Sequence, residues 1–167
     1  GVPLNIEKIN RGIPDLFLNR SKHAGSFATA IMTTDLSPKT CYLDVKLSQG
    51  VVRVTGICKG SGMIHPNMAT MLGYILTDAK LDLDWSEKIL KEVVDRSFNM
   101  ISVDGETSPN DTVFLLSNGA TGVDVATDED KETMTRALNR LAEDMAKSIA
   151  ADGEGASKLI EVEVKNY

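Results

Sequence analysis

In the segment 41–47 every second residue is apolar, and this alternation constrains the fold more than any other feature of the chain. A second apolar run follows over residues 51–58. Apolar residues with a period of two predict β-strands, and the Gln49-Gly50 pair between the two runs predicts a two-residue hairpin turn. The segment 41–58 is therefore predicted to be a β-hairpin.

The two cysteines of the chain fall within this predicted hairpin. A turn at Gln49 and Gly50 would place Cys41 directly opposite Cys58. As cross-strand neighbours, the two cysteines would be close enough to form a disulfide. We expect both thiols to be reduced and to pack as small apolar side chains instead. No metal site is predicted, because neither His23 nor His65 has ligand spacing with a cysteine.

The remaining segments predict a mixture of helices and strands. Further strands are predicted over the apolar run 71–76, with Thr70 at its start, over residues 112–116, and over the alternating residues 160–164. Three short helices are predicted, over residues 6–11 after an Asn5 cap, over 15–18 after Pro14, and around 27–31. A fourth helix is predicted to begin at an Asp84 cap and to include Phe98 and Ile101 on its apolar face. A fifth is predicted to begin at a Thr127 cap and to end near Ala151. Such a mixture, with hairpins, implies an α+β layered domain.

Charge and hydropathy limit the partners of the chain. The 167 residues suit one domain, and their formal net charge of −6 argues against nucleic acid or an anionic membrane surface as a partner. No apolar run approaches the roughly 20 residues that span a bilayer, and the first residues lack a signal-peptide pattern. We therefore expect a cytoplasmic protein that acts on a small molecule.

A loop of unusual composition, residues 59–72, connects two of the predicted strands. It contains two glycines and Pro66, and Thr70 lies close to its end. The Gly60-Ser61-Gly62 triplet has neither the spacing of a Walker phosphate loop nor that of a dinucleotide fingerprint. From the residues alone, Thr70 is open to two interpretations: a β-branched strand residue or a nucleophile.

The sequence Lys-Gly-Ser-Gly-Met-Ile-His-Pro-Asn-Met-Ala-Thr-Met-Leu at residues 59–72 resembles the signature of the ornithine acetyltransferase family. Members of this family are also called bifunctional glutamate N-acetyltransferases and serve arginine biosynthesis. Segments 30–35, 98–105, 110–113 and 153–160 resemble further family motifs in the same order. The resemblance implies a layered helix/sheet/sheet/helix sandwich of the self-cleaving threonine-nucleophile type, with mixed sheets.

The resemblance also implies that a precursor cuts itself between Ala69 and Thr70. Residues 1–69 would then end an α chain and residues 70–167 would begin a β chain. The freed α-amine of Thr70 has a reference pKa of about 7.7–8, so it could accept the proton of the threonine hydroxyl. Cleavage would thus create the catalytic base.

The reaction implied is acetyl transfer from N-acetylornithine to Thr70 and then to glutamate. Some family members also use acetyl-CoA as the donor, and no metal or redox cofactor is implied. The assembly implied is an α/β heterodimer unit that associates into a heterotetramer or larger. Two other functions remain open: an N-terminal-nucleophile amidohydrolase or aminopeptidase, and a non-catalytic fragment of the family fold.

Three further positions match substrate-binding residues of the family. Lys59 would hold a carboxylate and Glu154 an ammonium group, while Thr33 would contact substrate directly. Their alternative roles are a solvated strand-end charge, a helix-end charge and local backbone bonding. Asn110 and Asp111 match family motifs without an assigned role.

The resemblance places a Thr-Gly pair that builds the oxyanion hole before residue 1, and further substrate contacts after residue 167. Loss of one oxyanion donor costs about 10²- to 10³-fold in rate. We therefore expect the 167 residues by themselves to be a poor enzyme.

Overall fold

The computed structural model describes residues 2–20, 24–66 and 70–165, and these ranges contain four α-helices, a short 3₁₀ helix and four strands. In chain order they are α1 (Ile6–Asn19), α2 (Ala24–Ala30), β1 (Lys39–Leu47), β2 (Gly50–Lys59), β3 (Leu72–Thr77), α3 (Leu83–Asp95), the 3₁₀ helix (Phe98–Met100), β4 (Thr112–Ser117) and α4 (Asp128–Ala151).

The four strands form one mixed sheet in the order β1-β2-β3-β4. The first three pair antiparallel, whereas β4 lies parallel to β3. Parallel neighbours need a long crossover, and the segment that contains α3 provides it. The predicted α+β class with a mixed sheet is confirmed.

The core lies between the sheet and α4, which packs against β1 and β2. The predicted apolar stripe of α4 is confirmed, because each of its residues is at most 1% exposed: Met134, Leu138, Leu141, Met145 and Ile149. On the opposite face of the sheet, the ring of Tyr74 lies between those of Phe27 and Phe114, with centroids 4.9 and 5.4 Å away. Strand β3 therefore has packed side chains on both faces, as its apolar sequence predicts.

The hairpin is present, but the predicted register is wrong by two residues. Leu47 pairs with Gly50, so Ser48 and Gln49 form the turn, and Cys41 lies opposite Gly56 rather than Cys58. The reason is tertiary: the carboxylate of Asp130 in α4 accepts both the Ser48 N–H, at 2.8 Å, and the Ser48 hydroxyl. A shift of two leaves every side chain on its predicted face.

Two helix boundaries also differ from prediction. The two predicted helices around Pro14 are one helix, α1, which runs through Pro14 although an interior proline lacks the N–H of the helix ladder and crowds the carbonyl four residues before it. The N-cap of α3 is Asp82, whose carboxylate accepts the Trp85 N–H at 2.9 Å, while the predicted cap, Asp84, lies in the first turn. The caps of α1 and α4, Asn5 and Thr127, are as predicted.

The end of α3 and the ends of two predicted strands require correction as well. Phe98 and Ile101, predicted on the face of α3, lie beyond its end at Asp95. Strand β3 begins at Leu72, so Thr70 belongs to the preceding loop and not to the strand. Residues 160–164 form no strand in the described part of the chain, and Ile160 is 81% exposed, because alternation supplies no partner for the backbone.

Within the described ranges, no helix combines the length and the apolar character that crossing a bilayer requires.

Candidate active site

The loop of residues 60–71, here called the site loop, begins and ends at the same end of the sheet, because Lys59 pairs with Leu72. Ala69, on the N-terminal side of the predicted cleavage bond, lies outside the described residues. Thr70 is described and is partly buried. Its backbone N–H donates to the carbonyl of Met63 at 2.7 Å, so the loop closes on itself.

The side chain of Thr70 differs from its backbone in that its Oγ1 atom is buried and has no hydrogen-bond partner among the described residues. Buried hydroxyl groups in proteins are normally paired, so an unpaired one requires an explanation. The carbonyl of Thr70 is bound, because it accepts a hydrogen bond of 3.0 Å from Lys59 Nζ. Both backbone groups of Thr70 are therefore hydrogen-bonded, whereas its hydroxyl oxygen is not.

Lys59 is the predicted site residue that contacts Thr70 directly. It is the last residue of β2 and is only 7% exposed. The alternative interpretation, a solvated charge at a strand end, is inconsistent with this burial. The ammonium group lies beside the backbone of Thr70, where it can serve a bound anion or position the loop.

Asp104 determines the conformation of the first half of the site loop. Its carboxylate accepts the N–H of Met63 at 2.6 Å and that of Ile64 at 3.1 Å. These bonds hold Met63 at a left-handed φ of 57°, which non-glycine residues rarely adopt. Burial acts to raise the pKa of Asp104, but these N–H groups and that of Glu106 lower it overall. The sequence placed Asp104 in a family motif without assigning it this role.

An ion cluster under the site loop was not predicted. The ammonium of Lys39 lies 2.7 Å from Asp35 and 2.5 Å from Asp152, and the three side chains are between 0 and 11% exposed. The carboxylate of Asp35 also accepts the N–H of Gly60 at 2.7 Å. Asp35 and Lys39 are four residues apart, but Asp152 is distant in sequence, so spacing could not have identified the cluster.

The two remaining predicted substrate contacts are each bound through a backbone N–H group. The N–H of Thr33 donates to the carboxylate of Asp35 at 3.2 Å, as the alternative role of local backbone bonding predicts. Thr33 is exposed to solvent. The N–H of Glu154 donates to the carbonyl of Ser61 at 2.8 Å. Thr33 thus bonds to the ion cluster and Glu154 to the start of the loop, whereas Lys59 bonds to Thr70 itself.

The Glu154 carboxylate extends over Gly62. A Cβ added to Gly62 would lie 2.5 Å from Glu154 Oε2 and 3.6 Å from Asp104 Oδ2. The absence of a side chain at Gly62 therefore lets the Glu154 carboxylate approach the loop, whereas the Asp104 carboxylate would be at ordinary contact distance from a Cβ. A carboxylate at this position would attract the ammonium group of an amino acid.

Several findings concern the predicted absence of a metal and of a disulfide. In residues 2–20, 24–66 and 70–165, no group of three or more His, Cys, Asp or Glu side chains is placed to hold a metal ion. His23 lies outside these ranges. Cys41 and Cys58 are free thiols, and burial raises the pKa of Cys58 to about 12.

Comparison with known proteins gives the relationship of the chain. The model of the ArgJ family matches residues 1–167. The chain belongs to the ArgJ family. The resemblance to ornithine acetyltransferases is thereby confirmed.

Individual relatives agree with the family match. The chain is 47% identical to the arginine biosynthesis bifunctional protein ArgJ of Lactococcus lactis over 167 residues, which is 99% of this chain and 42% of that protein. It is 47% identical to the protein of the same name from Thermotoga neapolitana, with the same coverage. The chain thus spans about two fifths of the length of the curated relatives it matches.

The fold also agrees with a solved structure. The crystal structure of arginine biosynthesis bifunctional protein ArgJ from Bacillus halodurans matches 53% of this chain and 43% of its own, with a TM-score of 0.50 and 40% sequence identity. The layered α+β architecture is therefore that of an ArgJ family member.

Proposed function

We propose that the protein containing this chain is an acetyltransferase of arginine biosynthesis that uses Thr70 as its nucleophile. It would move an acetyl group from N-acetylornithine to glutamate through an acetyl-Thr70 ester. The observation that supports this best is the buried, unpaired Thr70 Oγ1 in a residue whose N–H and carbonyl are both bound. The names of the relatives support the pathway.

Formation of the catalytic base requires one cleavage. Thr70 Oγ1 attacks the carbonyl carbon of Ala69, the C–N bond breaks, and the acyl chain moves from nitrogen to oxygen. Water then hydrolyses the ester, which gives a carboxylate at Ala69 and a free amine at Thr70. Residues 1–69 and 70–167 would thereafter belong to separate α and β chains.

The same nitrogen then becomes the base for transfer. The carbonyl of Met63 lies 2.7 Å from it and would accept one of its hydrogens, which orients the lone pair of the amine. The amine takes the proton of Thr70 Oγ1 as the oxygen attacks the acetyl carbonyl, and it returns that proton to the ornithine that leaves. Glutamate then attacks the acetyl ester, so the order of events is ping-pong.

Lys59, Thr33 and Glu154 would bind the substrates. The ammonium of Lys59 suits the carboxylate of an amino acid, and the carboxylate of Glu154 above Gly62 suits its ammonium group. Acetyl-CoA would be an alternative donor, without any further cofactor. The α/β units would associate into a heterotetramer or larger assembly.

Intact mass and N-terminal sequencing of the complete gene product test the cleavage. We expect a new N-terminus at Thr70 in the parent, its retention in Thr70→Ser, and a single uncut chain in Thr70→Ala. A parent that is active while uncut would contradict the proposal.

An acetyl-transfer assay tests the reaction. We expect N-acetylglutamate to form from N-acetylornithine and glutamate, and Thr70→Ala to abolish it. Release of free acetate without N-acetylglutamate would instead indicate an amidohydrolase.

A further inference from the structure

The peptide group between Thr70 and Met71 is bound at both ends by side chains of opposite charge. Lys59 Nζ donates to the Thr70 carbonyl at 3.0 Å, and Asp111 Oδ1 accepts the Met71 N–H at 2.9 Å. These are the two polar atoms of a single peptide unit. We infer that Asp111 is a positioning residue of the active site, which acts with Lys59 to hold this peptide and thereby aim the Thr70 hydroxyl.

The placement of the two side chains in the sheet explains why they meet here. Lys59 ends β2 and Asp111 immediately precedes β4, the two neighbours of β3. The backbone pairing of β3 on each side begins at Leu72, which is paired with Lys59 and with Thr112. Beyond that pairing the Met71 carbonyl still accepts the backbone N–H of Thr112, at 3.4 Å, whereas the Thr70 carbonyl and the Met71 N–H bond to the side chains of Lys59 and Asp111.

Together with Met63, these contacts constrain the whole backbone of Thr70. The Thr70 N–H is bound by the Met63 carbonyl, and the following peptide is bound by Lys59 and Asp111. With φ and ψ held, the direction of the hydroxyl depends on χ1 alone. A nucleophile displaced by about 1 Å can lose about 10²-fold in rate, so this constraint has a kinetic value.

The contact of Asp111 requires an acceptor oxygen and not a negative charge. Its carboxyl group is half-buried, and burial raises its pKa even though the Met71 N–H and the charge of Lys59 act to lower it. An asparagine has an equivalent carbonyl oxygen at the same position. Asp111→Asn should therefore retain the function, whereas a general acid or base at this position would not tolerate that change.

Asp78 provides a matched control. Its Oδ1 also accepts a strand N–H, that of Arg53 at 2.8 Å, and it lies just after β3 at the end of that strand away from Thr70. Loss of its acceptor removes the same kind of hydrogen bond without affecting the site loop. Asp78→Ala and Asp78→Asn should therefore leave kcat unchanged.

The experiment compares Asp111→Asn, Asp111→Ala, Asp111→Leu and the two Asp78 variants in the complete gene product. Asp111→Leu fills the original volume without an acceptor, so it replaces the alanine variant if that variant fails to fold. Because the inference rests on the proposed function, we would measure kcat and KM per cleaved molecule and, separately, hydrogen exchange of the Met71 amide. Exchange reports on the contact whether or not the protein transfers acetyl groups.

We expect Asp111→Ala or Asp111→Leu to lower kcat by about 10- to 100-fold with little change in KM, and to accelerate exchange at Met71. Asp111→Asn should remain within about threefold of the parent in both readouts. Unchanged kcat in the acceptor-free variants would overturn the inference, as would an asparagine variant as impaired as they are. A parent without transferase activity but with Met71 exchange dependent on Asp111 would refute the proposed function alone.

Discussion

At Gly62, adding a single methyl group should weaken substrate binding without destabilising the fold. A Cβ there would meet the far end of the Glu154 side chain, at 2.5 Å, and no core atom, so the carboxylate must move while the fold need not. If Glu154 binds a substrate ammonium, Gly62→Ala should raise KM by about 10-fold or more, since a charged hydrogen bond contributes about 1.5–3 kcal/mol. Steady-state kinetics and thermal unfolding measure the two effects.

Gly12→Ala is the control for this substitution. A Cβ at Gly12 has no heavy atom within 4 Å, so the variant should match the parent in KM. An unchanged KM in Gly62→Ala, with Glu154 confirmed as displaced, would contradict the role of Glu154.

The cysteines allow a second test at this scale. Burial raises the pKa of Cys58 to about 12 and also raises that of Cys41, where the charge of Asp144 contributes. Because the thiolate is the reactive form, alkylation of the folded protein at pH 7.5 should be slow, and half-buried Cys41 should react before Cys58. Peptide mapping after iodoacetamide treatment would measure the order.

Unfolding without reductant provides the complementary measurement for the thiols. Both cysteines should then be labelled rapidly, to the same extent as with reductant present. Protection that only a reductant removes would indicate a disulfide and contradict the packing interpretation.

At the scale of elements, α4 is the helix on which the core depends. Leu138 is 1% exposed within the apolar stripe, so Leu138→Ala should lower the free energy of unfolding by about 2–5 kcal/mol. Leu83, at the start of α3, is 71% exposed, and Leu83→Ala should change the free energy of unfolding by less than about 0.5 kcal/mol. Urea unfolding of both variants tests the assignment, and equal effects would contradict it.

Elements also show where a local pattern suffices and where it fails. Period two in residues 41–47, together with the apolar run over residues 51–58, correctly predicted a hairpin, because alternation reports which face of a strand is buried. The turn position depended on Asp130, which is far from Ser48 in sequence. Alternation in residues 160–164 predicted a strand that is absent, because a strand exists only with a neighbour to pair with.

For the whole molecule, the ion cluster predicts how stability depends on pH. Burial acts to raise the pKa of Asp35, but hydrogen bonds from Lys39, Gly60 and Thr33 lower it overall. A lowered carboxyl pKa contributes stability that is present above the unfolded value of about 3.9 and is lost as the pH falls through the lower folded value. The stability that Asp35 contributes should therefore be complete at pH 7 and should decline below about pH 4.

Lys39 should show the opposite dependence. Burial acts to lower its pKa, but Asp152 and Asp35 raise it overall, so its contribution to stability is present below about pH 10.4 and is lost as the pH rises through the higher folded value.

Urea unfolding of the parent and of Asp35→Asn at several pH values tests the predicted loss of the Asp35 contribution in acid. We expect a difference of about 3 kcal/mol at pH 7 that narrows towards pH 3, and a constant difference would contradict the role of the cluster.

The sequence by itself determined the fold class, the buried face of α4, the hairpin and, through its resemblance to a family, the identity of Thr70 and Lys59 as the residues to examine. Periodicity and motifs are local features, so both can be recognised in the sequence without knowing which distant residues pack together. Only the tertiary structure decided that Asp104, Asp111 and the cluster of Asp35, Lys39 and Asp152 support the site loop. Apart from the pair of Asp35 and Lys39, their partners are distant in sequence, and a hydrogen bond or ion pair depends on separation in space, which spacing along the chain does not specify.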